Sequence, residues 1–140
     1  MNQLKFVLYA DDDVDDKDWV SEACKAIDSD LNVVFVENGR QVFDFLGKDE
    51  EPELPALIVL DLNMPGMSGV EATRHISRDA PLTRVIVLTI SDEQQDVMDA
   101  ILAGACGYLL KDASIQELMR GLEAAAVGES LISSHIAGKV

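Results

Sequence analysis

The sequence predicts an α/β domain of the doubly wound kind, built on five parallel strands covered by helices on both faces. Three observations carry that expectation. Short apolar runs rich in Val and Ile recur at regular intervals, the pattern of strands buried on both sides. Between them lie stretches with apolar residues at i, i+3 and i+4, each giving a helix one sticky face. Strand and helix patterns alternate five times, and right-handed crossovers between parallel strands must place such helices against the sheet.

Taken in order, the runs are Phe6 to Ala10, Val33 to Val36, Leu57 to Leu60, Val85 to Thr89 and Tyr108 to Leu110. The helical faces are Trp19, Val20, Ala23, Cys24 and Ile27; then Val42, Phe45 and Leu46; then Val70, Thr73 and Ile76; then Val97, Met98, Ile101 and Leu102. A fifth face, Ile115, Leu118, Met119 and Leu122, continues through alanines to Gly128, a residue suited to end a helix. Residues 129–140 lack a strong period and read as a tail or the start of a linker, leaving one domain over 1–128.

A length of 140 residues with 48% hydrophobic and 26% charged residues suits one domain with an ordinary core and excludes disordered, collagen-like and disulfide-scaffold classes. Eleven basic against 26 acidic side chains give a net charge of −15, which disfavours direct nucleic-acid binding and anionic membranes. Cys24 and Cys106 stand far apart among small or apolar neighbours, so reduced thiols and a cytoplasmic setting are expected. Met1 to Lys5 open no leader pattern, and no apolar run approaches the length of a membrane span.

Ligands of open parallel sheets bind beyond the carboxyl ends of the strands. There the sequence places Asp11, Asp12 and Asp13 after the first run, Asp61 after the third, Thr89, Ile90 and Ser91 at the fourth, and Lys111 with Asp112 after the fifth. Two carboxylates about 4 Å apart repel by roughly 4 kcal/mol at an effective dielectric of about 20. Proton uptake or a hard divalent ion offsets that, and Mg²⁺ suits carboxylates joined by a main-chain carbonyl, which Asn63 can offer if Met64-Pro65-Gly66 turns the loop back. Lys111 and the Thr89 hydroxyl then complete a cradle for phosphoryl oxygens. No Gly-rich phosphate loop follows the first run, which weighs against a nucleotide-binding reading.

Other polar groups read more plainly. Asp13, Asp15, Asp16 and Asp18 are expected to cap the first helix and favour its dipole. His75 and His135 lack partners at metal-ligand spacing and read as surface residues. Trp19, Met98 and Met119 are expected in the core or at its edge, and Met64 as lid or filler beside Asp61.

Four motifs together resemble the response-regulator receiver domains of bacterial two-component signalling: Val7 to Asp13, Val59 to Gly69, Val87 to Thr89 and Gly107 to Lys111, in the family's order and spacing over roughly residues 3 to 128. The resemblance implies a CheY-like, flavodoxin-like sheet in the order 2-1-3-4-5. It further implies Asp61 as phosphoacceptor, Asp11, Asp12, Asp61 and the Asn63 carbonyl as Mg²⁺ ligands, Lys111 as the phosphate-pairing lysine, and Thr89 with Tyr108 as the switch pair. Tyr108 read without the family is a packed aromatic with its hydroxyl at the surface.

The partners implied are a sensor histidine kinase or histidine phosphotransfer protein, with a phosphorylation-dependent homodimer as an option. Gly107 to Ser114 resembles the NarL/FixJ branch, whose members usually carry a DNA-binding domain, but no basic recognition helix occurs up to Val140. Asp112 stands where many members have a cis proline, so a trans bond is expected. Ile90, larger than the residue many receivers have there, is expected to restrict access to the acceptor.

Two further readings compete. A Mg²⁺-dependent phosphatase with an aspartyl nucleophile would need a general acid two residues on, where Asn63 cannot serve. A pseudo-receiver acting only as an interaction module would not need the full set of acids, hydroxyl and lysine. The domain is therefore read as a switch that catalyses its own modification and is otherwise no enzyme.

Overall fold

In a computed structural model the chain is described over residues 6–46, 55, 57–64, 66–80, 82–90, 93–127 and 131–132. The elements are β1 (Phe6–Ala10), a 3₁₀ turn (Val14–Asp16), α1 (Lys17–Ile27), β2 (Asn32–Val36), α2 (Gly39–Leu46), β3 (Leu57–Leu60), α3 (Gly69–Asp79), β4 (Arg84–Thr89), α4 (Gln94–Ala103), β5 (Gly107–Leu110), α5 (Ile115–Ala126) and β6 (Leu131–Ile132). Each of the five apolar runs forms its strand and each amphipathic stretch its helix.

The sheet runs β2-β1-β3-β4-β5-β6, every described pairing being parallel. The expected order 2-1-3-4-5 is observed. It gains a sixth strand, because Leu131 and Ile132 pair with Gly107 and Tyr108 along the outer edge of β5. The segment read as a tail or the start of a linker thus contributes a short edge strand at these two residues: an otherwise open strand edge offers main-chain partners that a periodicity reading does not register. Gly128, Pro65, Ser91, His135 and residues 1–5 lie outside the described residues.

Alternation along the strands splits the core between the two faces of the sheet. Val7 and Tyr9 of β1, Val59 of β3, Leu88 of β4 and Leu109 of β5 pack under α1 and α5. Leu8, Ala10, Ile58 and Leu60 face α2 and α3 instead, while Val87 and Tyr108 meet Val97 and Ala100 of α4. Most of these side chains are fully buried, each worth about 1.5–3 kcal/mol against exposure. That burial holds all strand ends in one layer, so the loops after β1, β3, β4 and β5 meet at one edge.

Local signals place the helix starts. Ser68 and Ser114 accept hydrogen bonds from the amides of Glu71 and Glu117 at 3.1 Å, capping α3 and α5. Gly104 ends α4 at φ +116°, a backbone region unfavourable for side chains. Trp19 and Met119 pack at the edge of the α1/α5 core, Met98 is half-buried, and Met64 is a buried filler beneath the β3–α3 loop. Cys24 is buried and Cys106 half-buried, both as free thiols, and burial pushes the Cys24 thiol up to about 11.

Candidate functional site

β1 and β3 are hydrogen-bonded neighbours, so their last residues hand Asp11 and Asp61 to the same point at the sheet's carboxyl edge. Main-chain bonds continue the ladder: the Asp61 amide donates to Ala10 O at 2.9 Å and the Asp11 amide to Val36 O at 3.1 Å. Asp11, Asp12 and Asp61 each present a carboxylate oxygen within 4.8 Å of the others, with Asp11 and Asp61 buried and Asp12 exposed. The expected trio of acids is thus assembled by strand order, across 50 residues of sequence.

Lys111 enters this cluster from the end of β5. Its Nζ lies 2.7 Å from Asp11 Oδ2, 3.0 Å from Asp16 Oδ2 and 3.6 Å from Asp61 Oδ1. The Lys111 amide donates to Thr89 O at 2.8 Å, which fixes the lysine's backbone to the end of β4. Burial alone would lower the lysine's pKa, but its bonds to Asp11 and Asp16 and the charge of Asp61 outweigh burial and raise it. The ammonium therefore stays charged.

Burial pushes the Asp61 carboxyl up to about 6, and the Asp11 charge adds to that. Lys111 and a hydrogen bond from the Asn63 amide pull it back only partly. Asn63 itself is exposed. Thr89 and Tyr108 are both wholly buried. The surface-hydroxyl alternative for Tyr108 fails, because its ring sits in the pocket between β4, β5 and α4 with Leu62, Val87 and Val97. Ile90, next to Thr89, is 80% exposed.

Two residues of the site escaped the sequence reading. Tyr9, two positions before Asp11 and so on the same side of β1, donates its hydroxyl to Asp11 Oδ2 at 2.5 Å. Its ring packs edge-on against Phe35, over which Lys17 Nζ lies at 4.6 Å. Burial and the bond to Asp11 raise the phenol pKa, keeping it a donor. The period-two spacing could have revealed this partner.

The second is Asp16, expected to cap α1. It occupies the N-cap position, yet its φ and ψ of −85° and −8° are helical and its side chain makes no capping bond. The capping expectation is corrected here: a carboxylate reaching a buried ammonium gains more than one bonded to an exposed amide. Asp13 does take the amide of Asp15 at 2.9 Å, while Asp15 and Asp18 are exposed. His75 packs on Phe43 and its Nδ1 lies 2.7 Å from Arg78 Nη2, and among the described residues it belongs to no metal-type cluster. The Lys111–Asp112 bond is trans, as are the other described peptides.

The residues fit a small divalent cation. Three hard carboxylate oxygens converge, two of them buried, and a single ammonium does not balance three acids. A doubly wound sheet with this acid cluster and one lysine at its carboxyl edge has the arrangement that the receiver resemblance implies.

The chain belongs to the response regulator receiver domain family, whose model matches residues 7–123. The nitrate/nitrite response regulator NarL of Escherichia coli K12 is 42% identical over 82 residues, which are 59% of this chain and 38% of NarL. The chain thus corresponds to well under half the length of that relative. The isolated receiver domain of RcsB from Salmonella enterica serovar Typhimurium, solved with the phosphomimetic BeF₃⁻, superposes with a TM-score of 0.85 over 99% of each chain at 20% identity, a likeness of fold. The Mn²⁺-bound response regulator Rcp1 is 30% identical with a TM-score of 0.71, covering 86% of this chain and 92% of its own. Among the described residues, no helix is long and apolar enough to cross a membrane.

Proposed function

We propose that the domain is a phosphoacceptor switch of a two-component relay, modified on Asp61 by a histidine kinase or a histidine phosphotransfer protein. The observation that carries this reading is the placement of one buried carboxylate, Asp61, among Asp11, Asp12 and Lys111 at the carboxyl edge of the sheet. In the reaction an Asp61 oxygen attacks phosphorus, the bond to the donor's imidazole or acyl oxygen breaks, and the leaving group departs with that electron pair. Lys111 neutralises charge on a phosphoryl oxygen, and the Asn63 amide steadies the Asp61 carboxylate before attack.

Asp11, Asp12, Asp61 and the Asn63 carbonyl are the groups that would hold Mg²⁺, whose chemistry is to offset negative charge on the transferring group. That the related Rcp1 takes up Mn²⁺ supports a divalent ion in this domain. Modification replaces a carboxylate by a group of about −1.5 to −2 charge with new acceptor oxygens. Thr89, at the end of β4, and Tyr108, buried on the neighbouring β5, are the residues that read this change and pass it to the α4 surface. Apart from acquiring and slowly losing its own phosphoryl group, the domain turns over no substrate. It acts in the cytoplasm.

Incubation with a small acyl phosphate and Mg²⁺ followed by intact-mass measurement tests this. One phosphoryl group should be gained by the native chain and none by Asp61→Ala. Multiple turnover of released phosphate would favour a phosphatase, and no adduct would leave an inert interaction module.

A further inference from the structure

The Lys111 ammonium has three protons and three acidic neighbours, but they are not equivalent. Asp11 and Asp16 stand at hydrogen-bonding distance, 2.7 and 3.0 Å, while Asp61, the residue it has to serve, stands at 3.6 Å. The ammonium is drawn toward the α1 side of the site. Asp11 is not alone in this: its Oδ2 is shared with the Tyr9 hydroxyl and its Oδ1 accepts the Asp13 amide at 3.0 Å, and Asp16 adds a second short contact to the lysine. Asp16 comes from a different element, the 3₁₀ turn ahead of α1, and its side chain is only 24% exposed. Its carboxylate forgoes the capping bond open to an N-cap residue.

We propose that Asp16 is a positioning residue that tethers Lys111 away from Asp61 and so slows phosphoryl acceptance in the resting domain. The proposal rests on the phosphoacceptor reading above. Lys111 must leave Asp16 to pair with the oxygens of an incoming phosphoryl group, so the ion pair is lost on the way to the transition state and its strength adds to the barrier. Neutralising Asp16 removes that cost. Asp15, exposed and adjacent, carries the same charge without reaching the lysine, and separates a tether from a general field effect.

The test compares phosphorylation rates of the native chain, Asp16→Asn, Asp16→Glu and Asp15→Asn, by intact mass at saturating Mg²⁺. Acetyl phosphate and the less charged phosphoramidate serve as donors. A partly exposed ion pair of this kind predicts a gain of about two- to fivefold in the maximal rate for Asp16→Asn with both donors. Asp15→Asn should match the native chain, and Asp16→Glu should fall back toward it. Asp16→Ser, whose hydroxyl suits an N-cap position, gives a second neutral variant should Asn perturb the turn. Equal rates for the native chain and both neutral variants, an equal gain in Asp15→Asn, or a gain confined to acetyl phosphate would overturn the tether. If the native chain itself takes up no phosphoryl group, the phosphoacceptor reading falls and this inference falls with it.

Discussion

Replacing Asp61 with asparagine should stabilise the metal-free domain at neutral pH, although it removes the acceptor. The residue is 6% exposed and burial raises its carboxyl to about 6 in the fold against 3.8 in a free chain. Between those values the native state holds a proton that the unfolded state has released, so stability falls as pH rises through that window and levels off above about 6. A shift of about two units corresponds to ~3 kcal/mol at most, at about 1.4 kcal/mol per unit. Asn keeps the shape and an acceptor oxygen for the Asn63 amide, while Lys111 keeps Asp11 and Asp16. Urea denaturation of both proteins with a chelator, from pH 4 to 8, should show little difference near pH 4 and a growing advantage for Asp61→Asn up to a plateau above pH 6. Saturating Mg²⁺ should narrow the gap by stabilising the native chain; a hundredfold excess over Kd contributes about 2.7 kcal/mol. Parallel pH curves, or an advantage that shrinks toward neutrality, would refute the argument that this carboxylate is held at a cost.

Three other outcomes follow from the geometry. Tyr9→Phe keeps the ring against Phe35 but removes the donor to Asp11 Oδ2, so urea midpoints should report a loss of about 1.5–3 kcal/mol, as for a hydrogen bond to a charged group. Gly69→Ala would place a methyl 2.5 Å from Asp61 O and 2.8 Å from Leu62 Cα, both backbone atoms; a destabilisation of about 1–3 kcal/mol is expected, with slower phosphorylation because the acceptor's own peptide must move. Ile90→Ala should shorten the phosphoryl lifetime, measured as decay of the phosphorylated mass, if the side chain beside Thr89 limits access of water; its 80% exposure means stability should change by less than about 0.5 kcal/mol.

The strands and helices were legible because burial imposes its own period on the chain. Runs such as Leu57 to Leu60 have no polar face to show, and a stripe such as Ile115, Leu118 and Leu122 has only one. The acids and lysine were legible too, since a polar residue closing an apolar run must lie at a strand end, where loops gather. The order β2-β1-β3 then brings Asp11 beside Asp61 through main-chain bonds that no local pattern encodes.

Partner choice depended on the third dimension. Asp13, Asp15, Asp16 and Asp18 look alike in sequence, all acids near a helix start, yet only Asp16 among them lies at the reach of Lys111. Tyr9 and Tyr108 are both strand aromatics; one bonds a carboxylate at the sheet's edge, while the ring of the other packs with Val87 and Val97 under α4. Leu131 and Ile132 have no amphipathic signature and were taken up by an open strand edge. Periodicity is a property of one segment and survives in the sequence. An ion pair or an edge pairing belongs to two segments, and its energy depends on a separation that only the folded chain sets.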